Sequence, residues 1–162
     1  SDFFMDIENY PLEMWDKVHD VNLKGSFLMI QESIKYFKKN GKGNIINISS
    51  TYGILSPNKN IYGDSGINSP VAYSSSKSAI LNLTRYCAVE LAKYNIRVNT
   101  LTPGGVYMNQ DKEFVENYSN QTPLKRMASE NEYQGPISFL ISDASSYMTG
   151  SNLIVDGGWS AW

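Results

Sequence analysis

The sequence contains one cysteine, one histidine and no long uninterrupted run of apolar residues. A single cysteine, Cys87, excludes a disulfide within the chain and leaves no set of thiols for a structural metal, so we predict no metal site. Within "LTRYCAVELA" it is expected to be a small buried side chain. The most apolar segment is interrupted by Arg85, Glu90 and Lys93, which makes it too polar to cross a membrane.

Clustered positive charge and a secretory signal are also missing. The net charge is −2 and no group of lysines or arginines stands out, which disfavours nucleic acid and anionic membranes as partners. The opening "SDFFMDIENYPLEMW" is acidic and has neither the basic segment nor the apolar core of a signal peptide. We therefore expect a cytoplasmic protein. The length of 162 residues and the apolar content of 41% are those of one globular domain.

What the sequence does contain is an alternation of helical and strand patterns. Apolar spacings of three and four predict helices over 12–40 and 72–94, and a serine cap predicts another in "SENEYQGPISFLIS". Pro136 should separate or kink the first turn of that third helix. The runs "NIINIS", "IRVNTLTP" and "SNLIV" are typical of buried parallel strands. This alternation predicts an α/β fold with a parallel sheet that is covered by helices on both faces.

Ligands of such sheets bind at the carboxyl ends of the strands, which here are Ser49–Ser50, Pro103–Gly104 and Asp156–Gly157. The helix after the first strand begins with "YSSSK", so that Tyr73 and Lys77 lie one turn apart on the same face. With 11 tyrosines in the chain, that spacing has little meaning alone. Its position beside a strand end makes a ligand site plausible.

Several segments, in order, resemble the short-chain dehydrogenase/reductase family. "DVNLKGSF" is similar to the family's central helix, "GNIINISS" to its serine strand and "YSSSK" to its Tyr-x-x-x-Lys motif. "IRVNTLTPGG" and "MTGSNLIVDGG" resemble its Arg-Val-Asn…Pro-Gly segment and its final strand, so the match runs from about Trp15 to Gly158. The resemblance implies that residues 1–162 form a single partial Rossmann-like domain, the C-terminal, catalytic part of a doubly wound parallel sheet.

The function implied by the resemblance is that of an NAD(P)-dependent oxidoreductase acting on a carbonyl or an alcohol. Tyr73 would exchange a proton with the substrate oxygen, and Lys77 would favour the phenolate and bind the nicotinamide ribose. Ser50 would orient the substrate oxygen, and Asn22 would hold a water in a proton relay to Lys77. The residues implied at the cofactor, NAD or NADP, are Tyr73, Lys77, Pro103, Gly104 and Val106. Without the family match, Ser50 could be an ordinary strand-end serine and Asn22 a residue that only bends its helix.

The sequence departs from the family by lacking its Gly-x-x-x-Gly-x-Gly turn and its Asn-Asn-Ala-Gly segment. Because that glycine-rich turn holds the pyrophosphate, residues 1–162 alone are expected to bind NAD(P) no tighter than the millimolar range and to be inactive. The alternative function is that of a catalytically inactive truncated subunit, which serves only as an assembly or interaction module.

A second departure is a long loop at about 54–70, which is expected to cover the substrate pocket. Its asparagines, serine, aspartate and tyrosine favour a polar or sugar-like small molecule, and the segment resembles flagellin-modification members of the family. Met108 and Asn109 stand where the family usually has a nicotinamide-binding threonine. The resemblance also implies a homodimer or homotetramer through the long helices, with a contact stripe of Ala79, Leu83, Tyr86 and Glu90.

Overall fold

Three parallel strands form the sheet of the computed structural model, which describes residues 2–65 and 67–162. Ser1 and Gly66, the latter within the predicted substrate loop, lie outside the described residues. The strands are β1 (Gly43–Ile48), β2 (Ile96–Pro103) and β3 (Asn152–Val155), in the order β1-β2-β3. Gly43 pairs with Ile96 at one end of the β1–β2 ladder, and Pro103 pairs with Val155 at the far end of the β2–β3 ladder. The predicted α/β class with a parallel sheet is confirmed.

The helices connect and flank these strands. Their bounds are α1 Leu12–His19, α2 Gly25–Asn40, α3 Val71–Leu91, α4 Lys112–Gln121 and α5 Gln134–Ile141. Short 3₁₀ turns include Thr51–Gly53, Lys59–Tyr62 and Glu130–Tyr133. The last of these precedes α5, so the separate first turn predicted from Pro136 is confirmed. Helix α4 was not predicted, because its sequence "KEFVENYSNQ" is short and mostly polar.

The first predicted helix is not one continuous α-helix. A π-helical turn, Asp20–Lys24, separates α1 from α2. A π turn holds more residues than an α turn, so it shifts the phase of the apolar stripe that follows it. Val21, within this turn, is 74% exposed, and Phe27, just after it, is 46% exposed, whereas Ile30 further along α2 is buried.

The core lies where α2 and α3 cover β1 and β2. Its buried members are Ile30, Cys87, Ala88, Leu91, Ile96 and Val98, with Leu83 packed against them from a partly buried position. The burial of Cys87 confirms the role predicted for it. Leu83 therefore does not belong to an outward stripe of α3, whereas Tyr86 is 69% exposed. The outer face of this part of α3 is formed instead by the exposed side chains of Tyr86 and Val89. Leu83 lies on the inner face of the helix, where it packs against the core.

Candidate active site

A cavity of about 270 Å³ opens at the carboxyl ends of β1 and β2. Ser50 follows β1, Tyr73 lies in the first turn of α3, and Pro103, Gly104 and Val106 follow β2 or end it. All five line this cavity, together with Thr51, Tyr52, Tyr62, Gly105, Gln110, Phe114, Tyr118 and Met127. The structure thus brings together five of the seven residues that the sequence singled out, from three separate segments of the chain.

The two adjacent serines at the end of β1 have different hydrogen bonds. Ser49 is buried and its hydroxyl donates to the Lys77 carbonyl oxygen at 2.8 Å, so it ties β1 to α3. The Ser50 oxygen accepts the Tyr52 amide N–H at 3.2 Å and caps the turn that follows. A hydroxyl that accepts in this way keeps its own proton as a donor. Ser50, which borders the cavity, is therefore able to donate a hydrogen bond to a ligand.

Tyr73 and Lys77 share a face of α3, with the Lys77 Nζ 5.8 Å from the centroid of the Tyr73 ring. The ammonium donates to the Ile48 carbonyl oxygen at 3.0 Å, so Lys77 is held at the end of β1. Partial burial lowers the pKa of the Lys77 ammonium, because desolvation disfavours the charged form. Lys77 therefore brings a partly desolvated positive charge to the neighbourhood of the phenol.

Asn22 lies in the π-helical turn and faces a second cleft, of about 540 Å³, between α2 and β1. Lys77 borders this cleft as well, whereas Ser50 and Tyr73 border the first. The Asn22 side-chain amide donates to the Ser76 hydroxyl at 3.0 Å, and that hydroxyl donates to the Tyr73 carbonyl oxygen at 2.8 Å. Asn22 therefore supports the turn of α3 that carries Tyr73. Its predicted role in a water relay stays a prediction.

Two glycines at the end of β2 allow the backbone to approach its neighbours closely. A Cβ atom on Gly104 would lie 2.8 Å from the Asp156 Cα, and one on Gly105 would lie 2.7 Å from the Tyr118 Cζ. Asp156 itself fixes the turn after β3, since its carboxylate accepts the Gly158 and Ser160 amides at 2.9 Å. Side chains are therefore excluded on this wall of the cavity, and the strand end presents backbone to a ligand.

Val106 and Met108 occupy different surroundings just after these glycines. Within residues 2–65 and 67–162 the Val106 amide N–H makes no hydrogen bond, while its carbonyl accepts the Gln110 side-chain amide at 2.7 Å. Val106 thus offers a free backbone donor beside the cavity. Met108 is 75% exposed, and Asn109 adopts a left-handed backbone with φ 58°.

Sequence analysis missed the aromatic wall of the cavity. Tyr118 is buried and its hydroxyl oxygen accepts the Gly105 amide at 2.6 Å. Burial raises the pKa values of the Tyr52 and Tyr118 phenols, so both stay neutral at ordinary pH. The spacing of Phe114 and Tyr118, four residues apart in a polar segment, was the available signal for a helix face at this point.

The one histidine, His19, is half-buried and stacks on Trp15, with 4.3 Å between the ring centroids. Nowhere in the described part of the chain do three or more His, Cys, Asp or Glu side chains surround a common metal position. Among the helices of those residues, none combines the length and the apolarity needed to cross a bilayer.

Comparison with known proteins places this architecture. A family model described as Enoyl-(Acyl carrier protein) reductase matches residues 2–160. Post-translational flagellin modification protein A of Campylobacter coli is 41% identical over 140 residues, which are 86% of this chain and 55% of that protein. A D-arabinitol 2-dehydrogenase (ribulose-forming) of Scheffersomyces stipitis is 37% identical over 167 residues, covering 96% of this chain and 56% of that protein.

A solved structure supports the same family assignment. The short-chain dehydrogenase of Leptospira borgpetersenii, with bound NAD⁺, superposes with a TM-score of 0.90 at 40% identity. The match covers 97% of this chain and 60% of that one. The chain therefore spans less than two thirds of the length of the proteins it matches. Its parallel sheet is part of a Rossmann-like fold, and the chain belongs to the short-chain dehydrogenase/reductase family.

Proposed function

We propose that this chain is the catalytic part of an NAD(P)-dependent oxidoreductase that acts on the carbonyl or alcohol group of a polar, sugar-like small molecule. The observation that carries the proposal is the convergence of Ser50, Tyr73 and the Gly104–Val106 backbone on one cavity. The names of the relatives support it, since one is a polyol dehydrogenase and one modifies flagellin. The polar loop that contributes Tyr62 to the cavity supports the choice of substrate class.

Ser50 and Tyr73 supply the two hydroxyl groups that a reacting oxygen needs. The Ser50 O–H donates to that oxygen and fixes its orientation, while the Tyr73 hydroxyl gives or takes the proton. Lys77 places positive charge 5.8 Å from the centre of the tyrosine ring. Positive charge at this distance stabilises the negative charge that develops on the phenol oxygen as its proton leaves. Lys77 therefore assists the proton transfer without touching the substrate.

The nicotinamide end of NAD(P) suits the residues after β2. Glycines 104 and 105 keep side chains away from the strand end, so a flat ring can lie against the backbone. The free Val106 amide matches the carboxamide oxygen of the ring, and Lys77 matches the ribose hydroxyls. When bound, the nicotinamide would exchange hydride with the substrate carbon. Tyr73, Lys77, Pro103, Gly104 and Val106 are the proposed cofactor contacts.

Residues 1–162 do not contain the Gly-x-x-x-Gly-x-Gly turn that would bind the pyrophosphate of NAD(P). The helix N-terminus and amides of such a turn satisfy the phosphate charges in this family. We therefore expect the 162-residue chain alone to bind NAD⁺ or NADP⁺ no tighter than the millimolar range and to show no turnover. Isothermal titration with both cofactors measures this directly. A micromolar dissociation constant would mean that other residues of this chain build a phosphate site.

The catalytic proposal is tested in the full-length protein that carries this chain. Tyr73→Phe removes the hydroxyl and leaves the ring, so turnover should fall severely while cofactor affinity changes little. Tyr147→Phe is the matched control, because that side chain is fully exposed and lies outside the cavity. Unchanged turnover in Tyr73→Phe would reject the role of Tyr73. A full-length protein that binds neither cofactor would favour the inactive assembly module instead.

We further propose that the protein assembles as a homodimer or homotetramer. Tyr86 and Val89 on α3 are 69% and 83% exposed, and together they give this long helix an apolar outer patch. A two-fold dimer pairs the same face of both copies, so this patch would be buried against its own copy. Val89→Asp should then reduce the particle mass measured by light scattering. A stable wild-type monomer at micromolar concentration would contradict the proposal.

A further inference from the structure

A pair of tyrosine hydroxyls belongs to the wall of the cavity that holds Ser50 and Tyr73. The hydroxyl oxygens of Tyr52 and Tyr62 lie 3.3 Å apart and share one hydrogen bond, and both residues line the cavity. Tyr52 follows Ser50 by two positions, so the pair is built next to the proposed reaction centre. Neither phenol takes part in the proton transfer proposed above.

The loop that carries Tyr62 is anchored at this point. Ile61 is only 1% exposed and belongs to a buried cluster with Tyr118, Met127 and Trp159. The Tyr62 ring packs on Phe114 with 5.6 Å between centroids, and Phe114 packs on Tyr118 at 6.0 Å. Tyr118 in turn stacks on Trp159 at 4.4 Å. This series of rings fixes the Tyr62 hydroxyl relative to the strand ends, as a recognition group requires.

The hydrogen-bonding capacity of the pair defines the ligand group that it fits. Each phenol has one proton to donate and lone pairs to accept, and the mutual bond uses one proton and one lone pair. One O–H donor and several acceptor sites therefore remain on the pair. Because burial keeps Tyr52 neutral, it does not become an acceptor-only phenolate at working pH. A ligand group that both accepts and donates a hydrogen bond, such as an alcohol, can therefore pair with the remaining O–H donor and with one of the remaining acceptor sites.

We propose that the Tyr52–Tyr62 pair binds a second hydroxyl of the substrate, close to the reacting carbon, and so selects polyhydroxylated substrates over simple alcohols. This inference rests on the proposed function and specifies its substrate. A substrate without that hydroxyl leaves the remaining O–H donor of the partly buried pair without a partner, and sites built to hydrogen-bond a hydroxyl reject such analogues strongly. The tyrosine pair is thus a specificity determinant, distinct from the residues that move the proton.

The experiment compares D-arabinitol with cyclopentanol as substrates of the full-length protein, with NAD⁺ and with NADP⁺. Cyclopentanol has a single hydroxyl and therefore cannot use the pair. Tyr62→Phe and Tyr52→Phe should each lower kcat/KM for D-arabinitol about tenfold, the effect of one lost hydrogen bond, with little change for cyclopentanol. Tyr147→Phe, whose ring lies in solvent, should change neither value. Equal losses on both substrates, or no loss on D-arabinitol, would overturn the inference.

The outcomes separate this inference from the proposed function. A wild-type protein that oxidises cyclopentanol but not D-arabinitol keeps the oxidoreductase activity, but it refutes both the role of the pair and the sugar-like substrate class. If it oxidises neither, the oxidoreductase proposal fails for these substrates, and saturation-transfer NMR of D-arabinitol with the full-length protein decides the binding role. A saturation-transfer signal of D-arabinitol that weakens in Tyr62→Phe supports the proposed binding role of the tyrosine pair. Absent transfer in the wild type, or transfer that is unchanged in Tyr62→Phe, overturns it.

Discussion

Replacing Gly53 by alanine should damage both the stability and the geometry of the proposed site. Gly53 ends the turn after Ser50 and packs directly on α3, where an added Cβ would lie 2.5 Å from the Ser49 Oγ and 2.8 Å from the Lys77 carbonyl oxygen. Overpacking of this kind costs about 1–3 kcal/mol, and displacing the Ser49–Lys77 hydrogen bond adds about 1 kcal/mol. We therefore expect the free energy of unfolding to fall by about 2–4 kcal/mol.

Gly25→Ala is the matched control, because a Cβ there would meet only the Asp20 carbonyl oxygen, at 3.5 Å, and the residue begins α2. It should leave stability unchanged or raise it by up to about 1 kcal/mol through helix propensity. Thermal unfolding followed by circular dichroism measures both variants, and Gly53→Ala should lower the Tm by roughly 5–15 °C. A Gly53→Ala protein as stable as Gly25→Ala would show that the turn and α3 are not held in contact.

Two further predictions concern the core and the surface. Thr84→Val should destabilise the chain by roughly 2–4 kcal/mol in urea denaturation, because the buried Asn47 amide and Thr100 hydroxyl both donate to the Thr84 oxygen and would lose their acceptor. Stability equal to the wild type would contradict this network. Hydrogen bonds from Arg126 and the Ser129 amide lower the pKa of Glu132 to about 2. The stability that Glu132 contributes is therefore complete at a pH above its ordinary pKa of ~4.3, and it is lost as the pH falls through about 2. The Tm difference between wild type and Glu132→Gln should shrink over that pH range. A difference that grows on acidification would contradict the predicted direction of this pH dependence.

Sequence analysis predicted the features that depend on neighbours along the chain. The three strands and the long helix of Tyr73 and Lys77 were found because β-branched runs and helical spacings are local signals. The serine-capped turn before α5 was found for the same reason, since a capping box spans only four positions. Helix α4 and the π-helical turn were missed, because one has a weak pattern and the other has no sequence signature.

At the site, the family resemblance pointed to Ser50, Tyr73 and Lys77, but strand and helix patterns alone do not distinguish Ser49 from Ser50. Their roles differ because the Ser49 hydroxyl is bonded to the Lys77 carbonyl oxygen, whereas Ser50 borders the cavity. That difference is a matter of how α3 packs on β1. The same holds for Asn22, whose amide is directed by Ser76 on a helix far along the chain.

By itself, then, the sequence determined the order of helices and strands, the strand ends at which a ligand would lie, and the one-turn spacing of Tyr73 and Lys77. Tertiary structure alone decided that Tyr62 joins Tyr52 in the cavity wall, since the position of Tyr62 depends on Phe114 and, through it, on Trp159. The physical reason is that backbone propensity and spacing act over a few residues. The contacts that build a binding wall join residues that only the folding of the whole chain brings together.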